Sequence, residues 1–298
     1  MNYQVTHITT YRYSEPVPLG HNTAHLRPRS YARQHCLSHQ LLIQPAPTAL
    51  DSWLDFFGNH VQYFTLEEAH RELKITALSE VQIVPPDQGA SSPSPPWELG
   101  RDALAPPRTP ACQAALPFAL DSHYVRRHPQ LADYAAASFS PNRPFIEAVL
   151  DLTGRIYREF TFDPSATCVH TPVMEAFEKR RGVCQDFAHL QIACLRSLGL
   201  AARYVSGYLL TEPPPGQVKL MGADASHAWL SVFCPGVGWL DLDPTNNLIP
   251  SMHHLTLAWG RDYDDVCPIN GIFLGGGRHS MSVAVDVLPA APVPPPSA

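Results

Sequence analysis

The sequence predicts an α+β fold with an N-terminal β-sandwich and a second domain in which helices precede an antiparallel sheet. Three observations support this prediction. Residues 1–86 hold short alternating runs of polar and apolar residues, residues 87–110 are rich in proline, and residues 111–288 change from a helical period to strand patterns. We therefore expect two domains, 1–86 and 111–288, joined by a stiff proline-rich linker, with residues 289–298 as a disordered tail.

The composition is that of a globular protein. The chain has 298 residues, of which 45% are hydrophobic and 16% charged, so it can bury a sizeable core. A net charge of -6 gives no reason to expect a nucleic acid or a membrane surface as a partner. No segment has the ~18 uninterrupted apolar residues of a membrane helix, and the N-terminus lacks a signal-peptide pattern. The seven cysteines include no Cys-x-x-Cys pair, which disfavours disulfides and a zinc site. We expect a cytoplasmic protein with reduced thiols, and its oligomeric state stays open.

Strand patterns account for the first domain. Apolar and polar residues alternate from Val5 to Tyr13, and a second run covers residues 37–43. Residues 55–64 are typical of a hairpin with Gly58 and Asn59 at its turn, and residues 73–84 add at least one more strand. Short strands separated by turns predict a small β-sandwich. Its histidines are scattered without metal-ligand spacing, so no site is predicted within it.

The second domain begins with helices. One apolar stripe follows Pro144 at helical spacing and consists of Phe145, Val149, Leu152, Ile156 and Phe160. Thr171 and Pro172 are suited to start a short helix that runs through Phe177. Strand patterns follow over residues 201–210, 228–233 and 239–243. Helices that precede strands within one segment predict an antiparallel sheet covered by those helices.

A cysteine stands at the predicted start of a buried helix. Cys184 follows Gly182 and precedes an apolar helical pattern that Gly199 is placed to end. The unpaired N–H groups and the positive dipole end of a helix favour the thiolate, which is the nucleophilic form of cysteine. Taken alone, however, Cys184 fits a small buried hydrophobe at least as well, because most free cysteines are of that kind.

A predicted hairpin supplies a base and its partner. Strand 224–233 carries His227 near its start, strand 239–243 ends at Asp243, and residues 234–238 are turn residues. If the strands pair antiparallel about Pro235, His227 lies directly opposite Asp243, with Cβ atoms ~5 Å apart. A carboxylate in that position fixes the tautomer of the imidazole and stabilises its protonated form.

Cys184, His227 and Asp243 together are the set that cysteine acyl-transfer enzymes require. The backbone N–H of Cys184 is suited to be one oxyanion donor, and the sequence does not show the second. Gly182, Gln185, Asp224 and Trp229 are the predicted substrate-binding residues, with Gly182 leaving room for the substrate. His189 lies five residues after Cys184 and hence on another helix face, so it is not expected to be the base. Asp262, Asp264 and Asp265 lack the spacing of a calcium loop, and no metal is expected.

Three motifs carry a resemblance to a known family. Residues 182–188 (GVCQDFA), 225–229 (ASHAW) and 239–245 (WLDLDPT) resemble, in order, the three catalytic segments of the bacterial transglutaminase-like superfamily. Segments of the first 85 residues, such as Leu26-Arg27-Pro28, resemble the β-rich N-terminal domain that accompanies it. The resemblance implies a papain-like catalytic domain, a Cys-His-Asp triad and no cofactor. The family includes peptidases and acyltransferases, so the reaction is acyl transfer or hydrolysis at an amide or isopeptide bond of a peptide or protein substrate.

Two alternatives belong to other classes. A non-catalytic peptide-binding module could retain the fold, although such a module usually loses one member of the triad. A thiol redox sensor would need a resolving cysteine beside Cys184. Cys194 lies on the same helix about 15 Å away at 1.5 Å per residue, which is too far for a disulfide.

Overall fold

The computed structural model describes residues 1–85, 94–211 and 224–290, and within the last range it leaves the side chain of Ala225 undescribed. The strands are β1 (Asn2–Val17), β2 (Leu19–Ala24), β3 (Gln34–Gln44), β4 (Ala49–Leu54), β5 (His60–Leu66), β6 (His70–Ile83), β7 (Thr161–Phe162), β8 (Arg181–Gly182), β9 (Ala202–Leu209), β10 (Ala225–Cys234), β11 (Gly238–Leu242), β12 (His254–Gly260), β13 (Ile269–Leu274) and β14 (His279–Ala290). The α-helices are α1 (Trp97–Asp102), α2 (Pro110–Ala115), α3 (Pro129–Ala136), α4 (Phe145–Glu159), α5 (Val173–Lys179) and α6 (Cys184–Ser197).

The N-terminal β-sandwich is built from both ends of the chain. One sheet has the order β14-β1-β6-β3 and the other the order β13-β2-β5-β4, with all pairings antiparallel. The predicted hairpin turn lies where expected, since Leu54 pairs with His60 and Gly58 has a φ of 73°. The predicted bounds 111–288 assign the last two strands to the second domain. In the structure they join the sandwich instead, because β13 pairs with β2 and β14 with β1 along twelve residues.

The second domain packs helices against an antiparallel sheet of order β11-β10-β9-β12. This confirms the predicted α+β class. The apolar stripe of α4 is buried along its whole length, and α6 is buried on nearly every side between that helix layer and the sheet. Gly199 ends α6 with a φ of 81°, a left-handed conformation that glycine adopts without strain.

The two domains share one hydrophobic core. Tyr3 and Val5 of β1 and Val287 of β14 are buried in the same cluster as the apolar residues of α6 and β10. Leu73 and Ile75 of β6 lie on the same sheet face and pack against the partner sheet. One face of the long sheet is therefore shared, with one end packed on the partner sheet and the other end on the second domain. This arrangement places β1 and β14 beside the first turn of α6.

The described part of the proline-rich segment is packed and partly helical. Trp97 begins α1, is 9% exposed, and donates its indole N–H to the carbonyl of Ser140 at 3.0 Å. Leu104 and Cys112 join a small cluster with Phe233 of β10. An extended spacer over residues 87–110 is thus wrong from Trp97 onward, because an indole and several apolar side chains gain burial against the second domain.

Some predicted features fall on undescribed residues. Residues 86–93, which hold most of the first proline run, and residues 291–298 of the predicted tail lie outside the described ranges. Residues 289 and 290, also assigned to that tail, belong to β14. No helix within the described residues is long and apolar enough to cross a membrane.

Candidate active site

Cys184 is the first residue of α6, as the sequence predicts. The short strand β8, which ends two residues before Cys184, pairs in parallel with β7, and Phe162 lies opposite Gly182. The carboxylate of Asp186 then accepts hydrogen bonds from the N–H of Val183 at 2.8 Å and from the hydroxyl of Thr167 at 2.6 Å. The side chain of Asp186 thereby fixes the backbone immediately before the cysteine.

Gly182 serves this cap and not a substrate. It is buried, does not line the cleft, and a Cβ added to it would lie 2.6 Å from the Asp186 carboxylate oxygen and 2.8 Å from its Cβ. The glycine therefore lets the capping carboxylate approach the backbone closely. The prediction that Gly182 leaves room for the substrate is corrected on this point.

The hairpin of β10 and β11 has a different register from the predicted one. Cys234 pairs with Gly238 and Leu230 with Leu242, which centres the hairpin on Gly236 instead of Pro235. Pro235 and Gly236, the latter with a φ of 82°, fit the two central positions of a type II turn. The loop therefore spans three residues, Pro235 to Val237, and Gly238, with a φ of 98°, begins β11 opposite Cys234.

His227 and Asp243 nevertheless meet. The Nε2 of His227 lies 2.8 Å from Oδ2 of Asp243. The contact does not come from a ladder pairing, because β11 ends at Leu242 and Asp243 instead bridges to Leu248. The turn that follows β11 directs the carboxylate of Asp243 toward the imidazole of His227. This turn is held by the other carboxylate oxygen, Oδ1, which accepts hydrogen bonds from the N–H groups of Thr245 and Asn246.

Two further side chains that the sequence analysis did not identify bind the same carboxylate oxygen. Nδ2 of Asn246 lies 2.7 Å and Nε2 of His254 3.0 Å from Oδ2 of Asp243. Asn246 was within reach of sequence reasoning because it follows Asp243 by three residues. His254 was not, since it comes from β12, and only the sheet order β10-β9-β12 brings it to this end of the sheet.

The electrostatics favour a protonated His227. Burial by itself lowers the pKa of His227, but the hydrogen bonds with Asp243 and Cys184, together with their charges, raise it from 6.5 to about 10. Nε2 is occupied by Asp243, so Nδ1 is the ring atom that remains for the thiol of Cys184. Burial likewise raises the pKa of Asp243, whereas the hydrogen bonds from His227 and His254 dominate and hold it well below 3.8. The pair is therefore ionic at neutral pH.

Among the described residues, one group has ligand atoms close enough together to hold a metal ion. It consists of His227, Asp243 and His254. The distances of 2.8 and 3.0 Å from the two Nε2 atoms to the carboxylate oxygen are those of direct hydrogen bonds. A carboxylate between two imidazole donors is electrostatically satisfied without a cation.

A cleft of about 450 Å³ opens over Cys184 and His227. Cys184 and Gln185 of α6 and His227 of β10 line one side, and β1 and β14 line the other. Asp224 lines the cleft but is only 5% exposed, and its carboxylate accepts hydrogen bonds from Thr211 and Val287, so its role in substrate binding stays a prediction. Gln185 lines the cleft as well and donates its side-chain amide to the carbonyl of Val169 at 2.9 Å.

Trp229 does not face the cleft. Its side chain is fully buried and packs edge-on against His254, with ring centroids 5.2 Å apart, and at 6.0 Å from His227. Gly207 makes room for it, because a Cβ there would lie 2.4 Å from the indole. Trp229 is thus a support for the imidazoles, which corrects its assignment as a substrate-binding residue.

The residues that the sequence analysis set aside have structural contacts. His189 is 2% exposed and accepts the N–H of Tyr263 at 3.1 Å, while burial lowers its pKa to about 3. With Nε2 engaged in this hydrogen bond and its pKa lowered, His189 is poorly suited to act as a base. Asp262 is buried and accepts the N–H groups of Tyr124 and Asp264, and Asp265 pairs with Arg261.

Comparisons with known proteins agree with this architecture. Bacterial transglutaminase-like N-terminal regions match residues 3–82, and the transglutaminase-like superfamily matches residues 132–244. An uncharacterized protein of Mycobacterium tuberculosis is 44% identical over 295 residues, which cover 96% of this chain and 92% of the relative. An uncharacterized protein of Mycobacterium leprae is 32% identical over 296 residues, which cover 95% and 97% of the two chains.

More distant relatives have more specific descriptions. A protein-glutamine gamma-glutamyltransferase of Pseudomonas aeruginosa is 30% identical over 151 residues, but these cover 50% of this chain and 22% of that protein. Among solved structures, a proposed cysteine protease from Cytophaga hutchinsonii has a TM-score of 0.74 at 22% identity, covering 99% of this chain and 93% of its own. That likeness concerns the fold. With both domains matched in order and full-length relatives above 30% identity, the chain belongs to the transglutaminase-like superfamily.

Proposed function

We propose that this protein is a cysteine-dependent enzyme that cleaves an amide or isopeptide bond, or transfers its acyl group, through a thioester on Cys184. One observation carries the proposal: His227 is hydrogen-bonded to Asp243 on one side and to Cys184 on the other, and is held protonated. Membership in the superfamily and partial similarity to a glutamyltransferase support the same class of chemistry.

In the first half of the reaction, the thiolate of Cys184 attacks the carbonyl carbon of the amide. A C–S bond forms, the C–N bond then breaks, and the proton on Nδ1 of His227 moves to the leaving amine. Asp243 stays ionised throughout and keeps the imidazole oriented with Nδ1 toward the sulfur. The immediate product is a thioester on Cys184 and a free amine.

The first turn of α6 is suited to stabilise the oxyanion. Hydrogen bonding within the helix begins with the N–H of Phe187 donating to the carbonyl of Val183. The N–H of Cys184 precedes that bond and has no partner within the helix, so it can donate to the developing negative charge. This is the donor that the sequence analysis put forward.

In the second half, an acceptor attacks the thioester. His227 takes a proton from the acceptor, the C–S bond breaks, and the thiolate is restored. Water as acceptor makes the enzyme a peptidase or amidase, whereas an amine makes it a transglutaminase. The reaction uses no cofactor, its substrate is a peptide or protein, and the proposed location is the cytoplasm.

Selective alkylation tests the activated cysteine. The assay needs one precaution: Cys168 is exposed, and hydrogen bonds from the Thr171 hydroxyl and the His170 backbone lower its pKa, so it will also react. In a Cys168→Ser background, iodoacetamide at pH 6 should modify Cys184 faster than each of the other five cysteines. His227→Ala should abolish this preference. Equal rates at all six positions would refute the proposal.

Trapping the acyl-enzyme tests the chemistry itself. The protein is incubated with a peptide library at pH 6–8, quenched in acid, and searched by mass spectrometry for acyl adducts on Cys184. Adducts that are absent from Cys184→Ala are the expected result. Their release by water or by an added primary amine distinguishes hydrolase from transferase. Peptides that bind without any adduct would instead indicate a non-catalytic binding module.

A further inference from the structure

The wall of the cleft opposite Cys184 comes from the N-terminal sandwich. Three antiparallel pairs between β1 and β14 contribute to it, namely His7 with Val285, Thr9 with Val283, and Tyr11 with Met281. All six are odd-numbered, and side chains of a strand alternate between faces, so the six lie on one face of the sheet. The catalytic cysteine therefore faces a surface that the catalytic domain does not supply.

The inner end of this wall is closed. His7 and Val285 are each 1% exposed, and His7 is held between the hydroxyls of Tyr208 at 2.9 Å and Thr9 at 2.8 Å. Burial lowers the pKa of His7 to about 4, so the ring is neutral. This end is a fixed part of the domain interface and offers no charge to a substrate.

The outer end of the wall is apolar and open. Met281 is 59% and Val283 46% exposed, although both lie on the face that turns toward the cleft. Ile269 lines the same space from the start of β13. Apolar side chains exposed inside a cleft gain free energy when an apolar group covers them.

The cleft has no counter-charge for an ionised substrate group. No lysine or arginine is among the described residues that line it. His227 is paired with Asp243, and both carboxylate oxygens of Asp224 accept hydrogen bonds from protein groups. A charged side chain placed here would lose hydration without gaining a partner, which is costly.

We propose that the outer wall, defined by Tyr11, Val283 and Met281, is a specificity surface that selects an apolar or aromatic substrate side chain next to the reacting carbonyl. The inference rests on the proposed function, since it concerns the substrate of the Cys184 thioester. The sandwich then acts as half of the substrate site. Such a site forms only when β14, the last strand, is paired with β1.

Peptidyl chloromethyl ketones test this inference, because they alkylate a cysteine only after their side chains bind. One probe pair places phenylalanine or glutamate immediately before the reactive carbonyl, and a second pair places it one residue further away, with glycine at the other position. Rates of adduct formation on Cys184 are measured in the Cys168→Ser background. In at least one pair the phenylalanine probe should react about tenfold faster or more than the glutamate probe.

Two variants locate the effect. Met281→Gln combined with Val283→Thr keeps side-chain size while adding polar atoms, and should reduce the phenylalanine preference severalfold. Leu288→Gln is the matched control: it removes an exposed apolar side chain, 49% exposed, from the opposite face of the same strand and should leave the preference unchanged.

Iodoacetamide separates the two possible failures. If it modifies Cys184 selectively while neither probe pair shows a preference, or the preference survives Met281→Gln with Val283→Thr, the specificity surface is refuted and the proposed function is not. If iodoacetamide itself finds no selective reactivity at Cys184, the proposed function fails first.

Discussion

Replacing Asp243 with asparagine tests the electrostatic core of the site. The substitution keeps the shape of the side chain but removes the charge that lies 2.8 Å from His227 and 3.0 Å from His254. The ordinary pKa of histidine is 6.5, and that of His227 is about 10. At about 1.4 kcal/mol for each pKa unit, this difference favours the protonated ring by about 5 kcal/mol. Burial opposes protonation, and Cys184 supplies only part of the favourable interaction, so loss of the Asp243 charge should lower the pKa of His227 back toward its ordinary value.

The assay is the pH profile of Cys184 alkylation by iodoacetamide in the Cys168→Ser background. With Asp243 present, the rate should stay nearly constant as pH falls from 8 to 6, because His227, with its pKa near 10, stays protonated beside the sulfur over this range. With Asp243→Asn, we expect the rate at pH 6 to fall at least about tenfold, which corresponds to the loss of only about 1.4 kcal/mol. Asp241→Asn is the control, because it removes from the same hairpin a charge whose hydrogen bond is to Ser231 and not to His227. A pH 6 rate in Asp243→Asn equal to that of the parent would refute the reasoning.

The same ion pair makes folding stability depend on pH. The raised pKa of His227 contributes stability that is complete below about pH 6.5 and is lost as pH rises through about 10. The lowered pKa of Asp243 contributes stability above about pH 4, which is lost as pH falls through its folded-state value. Urea unfolding should therefore show the largest gap between parent and Asp243→Asn at about pH 4–6.5. A gap that is the same at pH 5 and pH 10 would contradict this account.

Three further predictions concern the groups around the triad. His254→Leu should lower the free energy of unfolding by about 1.5–3 kcal/mol and slow Cys184 alkylation at pH 6, because Asp243 loses a hydrogen-bond donor. His254→Gln can still donate and should recover much of the rate. Equal alkylation rates in the two variants would count against a positioning role for His254. Gly182→Ala should cost about 1–3 kcal/mol in urea unfolding, because its Cβ would meet the Asp186 carboxylate at 2.6 Å, and an unchanged midpoint would contradict that packing. His189→Leu should lower the free energy of unfolding by about 1–3 kcal/mol, because the N–H of Tyr263 loses its acceptor. Cys184 should nevertheless keep its selective alkylation. Loss of that selectivity in folded protein would implicate His189 in the chemistry.

Local sequence patterns were sufficient to predict much of the candidate site. A glycine, a cysteine and an amphipathic run predict that Cys184 begins a helix, since helix starts depend on residues within one or two turns. His227 and Asp243 lie on the two sides of one short hairpin turn. Their contact was therefore predicted correctly although the predicted strand register was wrong. The hairpin is centred on Gly236 instead of Pro235 because its loop spans three residues, Pro235 to Val237. The positive φ values of Gly236 and Gly238 that accompany this register cannot be read from the sequence pattern.

Tertiary structure decided what lies around that machinery. His254 reaches Asp243 only because β12 joins the sheet beside β9. Trp229, predicted to contact substrate, instead packs against His254, because Gly207 leaves space for the indole. Strand pairing over a separation of more than 250 residues brings β14 to β1 and makes the sandwich a wall of the cleft. The sequence by itself determined that Cys184 begins a helix and that His227 lies beside Asp243, because helix starts and tight turns are local. Which surface faces them depends on contacts between distant strands, whose pairing no local pattern encodes.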